Sequence, residues 1–162
     1  MHLDAPDGLA PEDILQELSG LLSGEGDPIA SLANAAALLA MHLQGVNWVG
    51  FYILRGEDLV LGPFQGRPAC TRIPSGRGVC GAALARREPV VVEDVALFPD
   101  HIACDPASRS EIAVPVLAGA RALGVLDCDA PTKGRFGDAE RGLFEAAADM
   151  VGRHLAEHGA RL

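Results

Sequence analysis

The hydrophobic residues of this chain change their spacing twice, and that change narrows the available folds more than any other feature. From Pro11 to Gly45 they recur every three or four positions: Ile14, Leu15, Leu18, Leu21 and Leu22 up to Gly24, then Ile29, Leu32, Ala36, Leu39 and Leu43. Two helices are predicted. The first opens at Pro11 with Glu12 and Asp13 in its first turn; the second is capped by Asp27 ahead of Pro28 and ended by Gly45. From Val46 the spacing becomes that of strands. Val46–Leu54 and Leu59–Gln65 flank the turn Arg55-Gly56-Glu57-Asp58, and Ile112–Leu117 and Arg121–Cys128 flank Ala118-Gly119-Ala120, so each pair predicts a β-hairpin. Short strands over Ala69–Ile73 and Pro89–Val92 bracket a turn at Ser75–Gly78 and a short helix from Val79 to Arg86. Asp138 is expected to cap a long last helix with Phe144, Ala147, Ala148, Val151 and Leu155 on its inner face, closing near Gly159. Helices at both ends of a set of hairpins describe an α+β domain with a mainly antiparallel sheet.

The 162 residues suit one domain, read as 1–162, with 1–26 a helical extension and 46–136 the core that carries the chemistry. Charge limits the partners. With 13 Lys and Arg against 22 Asp and Glu, the net charge of −9 repels phosphate backbones and anionic membranes, so neither nucleic acid nor membrane is expected as a partner. No apolar segment approaches the ~20 residues of a membrane span. The polar stretch Met1–Ala10 lacks the basic start and apolar run of a secretory leader. A cytoplasmic location follows as the expectation, and there thiols stay reduced. Cys70, Cys80, Cys104 and Cys128 are then thiols, ligands or redox groups and not structural staples.

Between Glu93 and Arg109 no period is found, and an irregular loop of that length inside a compact domain points to function. It contains Cys104. A buried cysteine is often only a small hydrophobe, and Cys80 is open between packing and function. Cys104 sits among loop residues, which favours use as a nucleophile. Zinc is disfavoured: His101 and Cys104 are three apart, but Cys70, Cys80 and Cys104 lack the paired spacing of structural sites, and no metal is expected. Thiol redox chemistry requires a thiolate and a second thiol within reach. Cys70 and Cys104 meet that need in principle, although spacing alone does not establish it. On a strand, Asp127 and Asp129 share a face and Cys128 takes the other. Two like charges there raise one pKa, as where a cation is bound or a proton donated; a solvated strand end is the plainer alternative. Trp48 and Tyr52 also share a face, with Gly50 between them leaving a shallow slot for a ligand. Packing under a helix is the other reading of those rings.

Several motifs go further than spacing. The runs N-W-V-G-F-Y at 47–52, G-P-F-Q-G at 62–66, P-A-C at 68–70 and I-P-S-G-R-G-V-C-G at 73–81 occur in order. They are followed by F-P-D-H-I-A-C-D at 98–105, S-R-S-E-I at 108–112 and G-V-L-D-C-D at 124–129. Together they resemble the free methionine-R-sulfoxide reductases, enzymes built on a GAF domain. The resemblance implies a GAF-like sheet of about six strands, mainly antiparallel, with the N- and C-terminal helices packed on one side, and commonly a homodimer. It implies Cys104 as the catalytic thiol, Cys70 as the resolving thiol and Cys80 as an auxiliary thiol. Trp48 and Tyr52 correspond to aromatic positions of the substrate pocket. Glu111, Asp127 and Asp129 correspond to acidic residues that hold the substrate ammonium and assist at the sulfoxide, with Glu111 or Asp129 as acid.

The activity so implied is reduction of free methionine-R-sulfoxide to methionine. It would pass through a sulfenic acid at Cys104 and a Cys70–Cys104 disulfide that NADPH-coupled thioredoxin reduces, with no bound cofactor. Cys128 departs from the pattern, since an aliphatic residue is expected between the two aspartates; alternation gives it a packing role. The alternative from another class is a non-catalytic GAF domain that senses a small molecule or redox state.

Overall fold

Proline and aspartate place the first two helices. In the computed structural model, which describes residues 8–159, α1 spans Pro11–Leu22 and α2 spans Pro28–His42, with the Asp27 carboxylate accepting from Ala30 N–H at 2.9 Å. Most of the polar start of the chain, residues 1–7, lies outside the described residues, as do residues 160–162. The chain then runs β1 (Trp48–Arg55), β2 (Asp58–Gly66), β3 (Arg72–Ile73), α3 (Gly78–Arg86), β4 (Val90–Val92), β5 (Ser110–Ala118), β6 (Arg121–Ala130) and α4 (Asp138–Glu157). One 3-10 turn, Val95–Leu97, interrupts the segment that lacks a hydrophobic period. Asp94 caps it by accepting from Ala96 N–H. Three residues are too few to carry such a period.

The six strands form one antiparallel sheet in the order β3-β2-β1-β6-β5-β4. Both expected hairpins are present, and the two central strands, β1 and β6, come from different hairpins. The sheet has two unlike faces. Val49, Phe51 and Ile53 of β1, Ile112, Val114 and Val116 of β5, and Leu126, Cys128 and Ala130 of β6 meet α1, α2 and α4 in one apolar core. Phe144 and Val151 of α4 and Leu18 of α1 are fully buried in it, each such side chain contributing roughly 1.5–3 kcal/mol by leaving water. α4 presses so closely on β5 that a side chain at Gly152 would strike the Leu117 carbonyl. The opposite face carries α3, with its Val79 and Cys80, and the irregular segment before β5, over Trp48, Tyr52, Ala113 and Val125 of the sheet.

Several boundaries differ from the sequence reading, β1 starting at Trp48 and β6 running on to Ala130 among them. α2 stops at His42, and Gly45 (φ 72°) belongs to the turn beyond it. Gly137 caps α4 in place of Asp138: the Glu140 carboxylate accepts from Gly137 N–H at 2.9 Å, which leaves Asp138 as the first helical residue. β3 is two residues long, because Cys70 leaves the sheet edge before pairing begins. β5 starts at Ser110 and not at Ile112, which puts Glu111 inside a strand. Leu21 and Ile29, expected on inner helix faces, are exposed.

Candidate active site

The sheet register assembles the acidic residues. Trp48 lies opposite Asp129 on β6, and Asp129 lies opposite Glu111 on β5; further along, Gly50, Asp127 and Ala113 are aligned. Asp127 and Asp129 therefore share the face away from the helices, and Cys128 points into the helix-side core, as alternation predicts. α3 lays Cys80 against them, with Cys80 Sγ 3.9 Å from Glu111 Oε1.

The segment before β5 closes over this face and is tied down at its base. Asn47 Nδ2 donates to Asp105 Oδ2 at 3.0 Å and to Ser108 Oγ at 3.2 Å, and Asp105 Oδ1 accepts from Ala107 N–H at 2.9 Å. Arg109 N–H donates to the Ala130 carbonyl at 2.7 Å, which joins the end of the segment to β6. These bonds carry Cys104 to Cys70. The two sulfurs form a disulfide across 34 residues, with Cα atoms 5.2 Å apart, within the ordinary range. Tyr52 Oη donates to the Cys70 carbonyl at 2.9 Å and holds the partner side of the bridge.

A cleft beneath the disulfide is lined by Cys80, His101, Cys104, Glu111, Asp127 and Asp129, together with Asp105, Ser108 and apolar neighbours. Its interior amounts to about 30 Å³, room for a water molecule but not for an amino acid. Glu111 and Asp127 are almost wholly buried, and among the described residues no lysine or arginine lines the cleft. Burial and the neighbouring Asp129 push Glu111 up to about 8. Burial, with Asp127 beside it, pushes Asp129 up to about 9. Asp127 is raised by burial and by Glu111, and Cys80 by burial and by Asp127. His101, whose Nε2 is 3.5 Å from Glu111 Oε2, is lowered by burial. The site at neutral pH is thus a store of protons around thiols. Asp127 Oδ1 and Trp48 Nε1 are buried without a hydrogen-bond partner, and each such orphan costs roughly 1–3 kcal/mol.

The slot expected beside Gly50 does not exist. A Cβ at Gly50 would collide with Phe64 and lie 2.9 Å from the Trp48 ring, so the glycine is there to let these rings close over the strand. Trp48 stacks between Tyr52 and Phe64, with ring centroids 5.8 and 5.3 Å away. Trp48 and Tyr52 are 2% exposed and stand behind the cleft, not in its lining. Sequence spacing points to His101 only as a zinc ligand and does not single out Asp105 or Ser108. The Asp105-Pro106 pair, a turn former that ties its own backbone, is the one local signal for Asp105.

A thiol pair and uncompensated carboxylates above an antiparallel sheet define the class, and the comparisons agree. The GAF domain family matches residues 27–155. The free methionine-R-sulfoxide reductase of Escherichia coli is 49% identical over 139 residues, covering 85% of this chain and 84% of that protein. The structure of free methionine-R-sulfoxide reductase from Neisseria meningitidis in complex with its substrate superimposes with a TM-score of 0.88 at 41% identity, covering 93% of this chain and 92% of that one. The substrate complex of fRMsr from Staphylococcus aureus gives 0.86 at 44% identity, covering 90% and 95%. This chain belongs to the free methionine-R-sulfoxide reductase family of GAF-domain proteins.

Proposed function

We propose that this protein reduces free L-methionine-(R)-S-oxide to methionine, with Cys104 as nucleophile and Cys70 as resolving thiol. The observation that carries the reading is the Cys70–Cys104 disulfide set over the buried carboxyls of Glu111 and Asp127 and the partly buried Asp129, with no lysine or arginine lining their cleft among the described residues. A sulfoxide sulfur is a weak electrophile until its oxygen is protonated or strongly hydrogen-bonded. Glu111 and Asp129 retain protons at neutral pH and are the acids for that step. The Cys104 thiolate attacks sulfur, the oxygen passes to Cys104, and methionine leaves; Cys104 is oxidised to a sulfenic acid and the sulfoxide is reduced. Cys70 then displaces water from that sulfenic acid to give the disulfide present in this structure. A dithiol such as thioredoxin, recharged by NADPH, restores both thiols.

The carboxylates also account for a free amino acid as substrate. An α-ammonium beside Asp127 gains charge-assisted hydrogen bonds, and a methionine within a chain has none to offer. The cleft is too small for the amino acid while the disulfide is closed, so reduction of the bridge precedes binding. A homodimer is part of the proposal, supported by the resemblance and by exposed Leu21, Ile29 and Met41 on α1 and α2. Consumption of NADPH in a thioredoxin-coupled assay tests the activity. The expected result is turnover of the free R-epimer and none of methionine sulfoxide inside a peptide. Equal rates on both would refute the substrate assignment. Tight ligand binding without turnover would move the chain to the sensor reading.

A further inference from the structure

Asp127 Oδ1 is a buried acceptor with nothing to accept from, in a cleft with an ion-sized interior. Around it stand groups from three other elements. Cys80 Sγ from α3 and a carboxylate oxygen of Glu111 from β5 lie with an Asp127 oxygen within 4.8 Å of one another. His101 Nε2, from the segment before β5, is 3.5 Å from Glu111 Oε2, and Cys80 Sγ is 3.9 Å from Glu111 Oε1. We propose that Cys80, Glu111 and Asp127, with His101 set against Glu111, form a site for a thiophilic divalent cation of the zinc type, and that this cation excludes the substrate.

The donor set is one thiolate and two carboxylates with a fourth position left open, which suits a borderline-soft ion with tetrahedral preference, and the His101 imidazole holds Glu111 from behind. Bonds of about 2.3 Å to sulfur and about 2.0–2.1 Å to nitrogen or oxygen place neighbouring tetrahedral ligands roughly 3.3–3.6 Å apart. The Cys80 Sγ–Glu111 Oε1 separation of 3.9 Å is within a few tenths of an ångström of that. A cleft of about 30 Å³ admits an ion where it does not admit an amino acid. A divalent charge also reverses the local balance. Burial opposes ionisation of the thiol and both carboxylates, and a bound cation stabilises all three as anions and expels their protons. No ligand motif announces the site, because its ligands lie at 80, 111 and 127 and only the fold brings them together. The set weighed from spacing alone is closed here, since Cys70 and Cys104 are bonded to each other.

The exclusion of substrate rests on the proposed function, through the shared Asp127 and Glu111; the binding does not. Cobalt(II) titrated into the oxidised protein tests the binding without any turnover. With Cys70 and Cys104 joined, Cys80 and Cys128 are the free thiols, and Cys128 lies on the other face of the sheet. One equivalent is expected to give a thiolate-to-cobalt charge-transfer band in the near ultraviolet, with proton release and displacement by zinc. Cys80→Ala should abolish the band. His101→Gln, a change in a partly exposed segment that leaves the core untouched, should weaken binding by about tenfold or more. No band, a band that survives Cys80→Ala, or unchanged affinity in His101→Gln would overturn the site. In the reduced enzyme zinc should raise KM for free methionine-R-sulfoxide and leave kcat unchanged. A cobalt band with an unaffected KM would overturn the exclusion.

Discussion

β6 carries Asp127, Cys128 and Asp129 in succession, and these three side chains belong to two different kinds of interior. Cys128 enters an apolar core shared with α1, α2 and α4 and is fully buried there. Its neighbours enter a face on which carboxylates, thiols and a half-buried imidazole are crowded with no lysine or arginine beside them among the described residues. Burial is nearly equal on the two sides, and the consequences are opposite. On the helix side it removes apolar surface from water and stabilises the fold. On the other side it withdraws charges from water, raises their pKa values and leaves Asp127 Oδ1 and Trp48 Nε1 unpartnered. The helix face supplies the stability that the reactive face gives up.

Substitutions on either side should separate the two faces. Cys104→Ser should reduce turnover on the order of 10³-fold or more with a melting curve unchanged from that of the reduced wild type, as read by the coupled assay beside thermal denaturation under reducing conditions. Phe144→Ala should do the converse, with a loss of roughly 3–5 kcal/mol in urea unfolding and near-normal activity per folded molecule. Asp127→Asn should lower kcat/KM roughly 10–100-fold, because the substrate ammonium then meets a neutral amide in place of a carboxylate. Its stability should be little changed at neutral pH, since burial already holds the Asp127 carboxyl neutral in the free protein. A smaller effect is expected from Cys128→Ser: about 1–3 kcal/mol of stability for an unpaired buried hydroxyl, with turnover intact. If Cys128→Ser stayed folded and lost turnover, the two faces would not be separable in the way described.

A pH titration probes the reactive face from another side. Glu111 holds its proton up to about 8 in the fold, against an ordinary 4.5, and Asp129 up to about 9 against 3.8. Between those values the folded protein binds more protons than the unfolded chain, so stability falls as pH rises through the window. Urea midpoints should decline from about pH 5 to about 9, and the slope should flatten in Asp129→Asn.

The helix face is legible in the sequence because apolar periodicity is its cause: α1, α2, α4 and both hairpins follow from spacing, as does the inward turn of Cys128. The reactive face breaks the rules on which such reading depends. Polar Ser110 and Glu111 hide the true start of β5, since only the cover of α3 and the preceding segment makes burial at that position possible. Gly50 suggests space because Phe64, which fills it, comes from β2 and lies outside its local pattern. The pairing of Cys70 with Cys104 comes from motif resemblance, as a separation of 34 residues carries no geometry by itself. His101 meets Glu111 only in three dimensions.

A single turnover puts the roles of Cys104 and Cys70 to the test. The fully reduced protein, freed of reductant, is mixed with excess free methionine-R-sulfoxide; methionine is counted and the thiols are mapped by mass spectrometry. The expected result is one methionine per chain, with Cys70 and Cys104 joined and Cys128 still a thiol. Methionine formed from the S-epimer at the same yield, or a product in which Cys104 remains a free thiol, would show that the chemistry lies elsewhere.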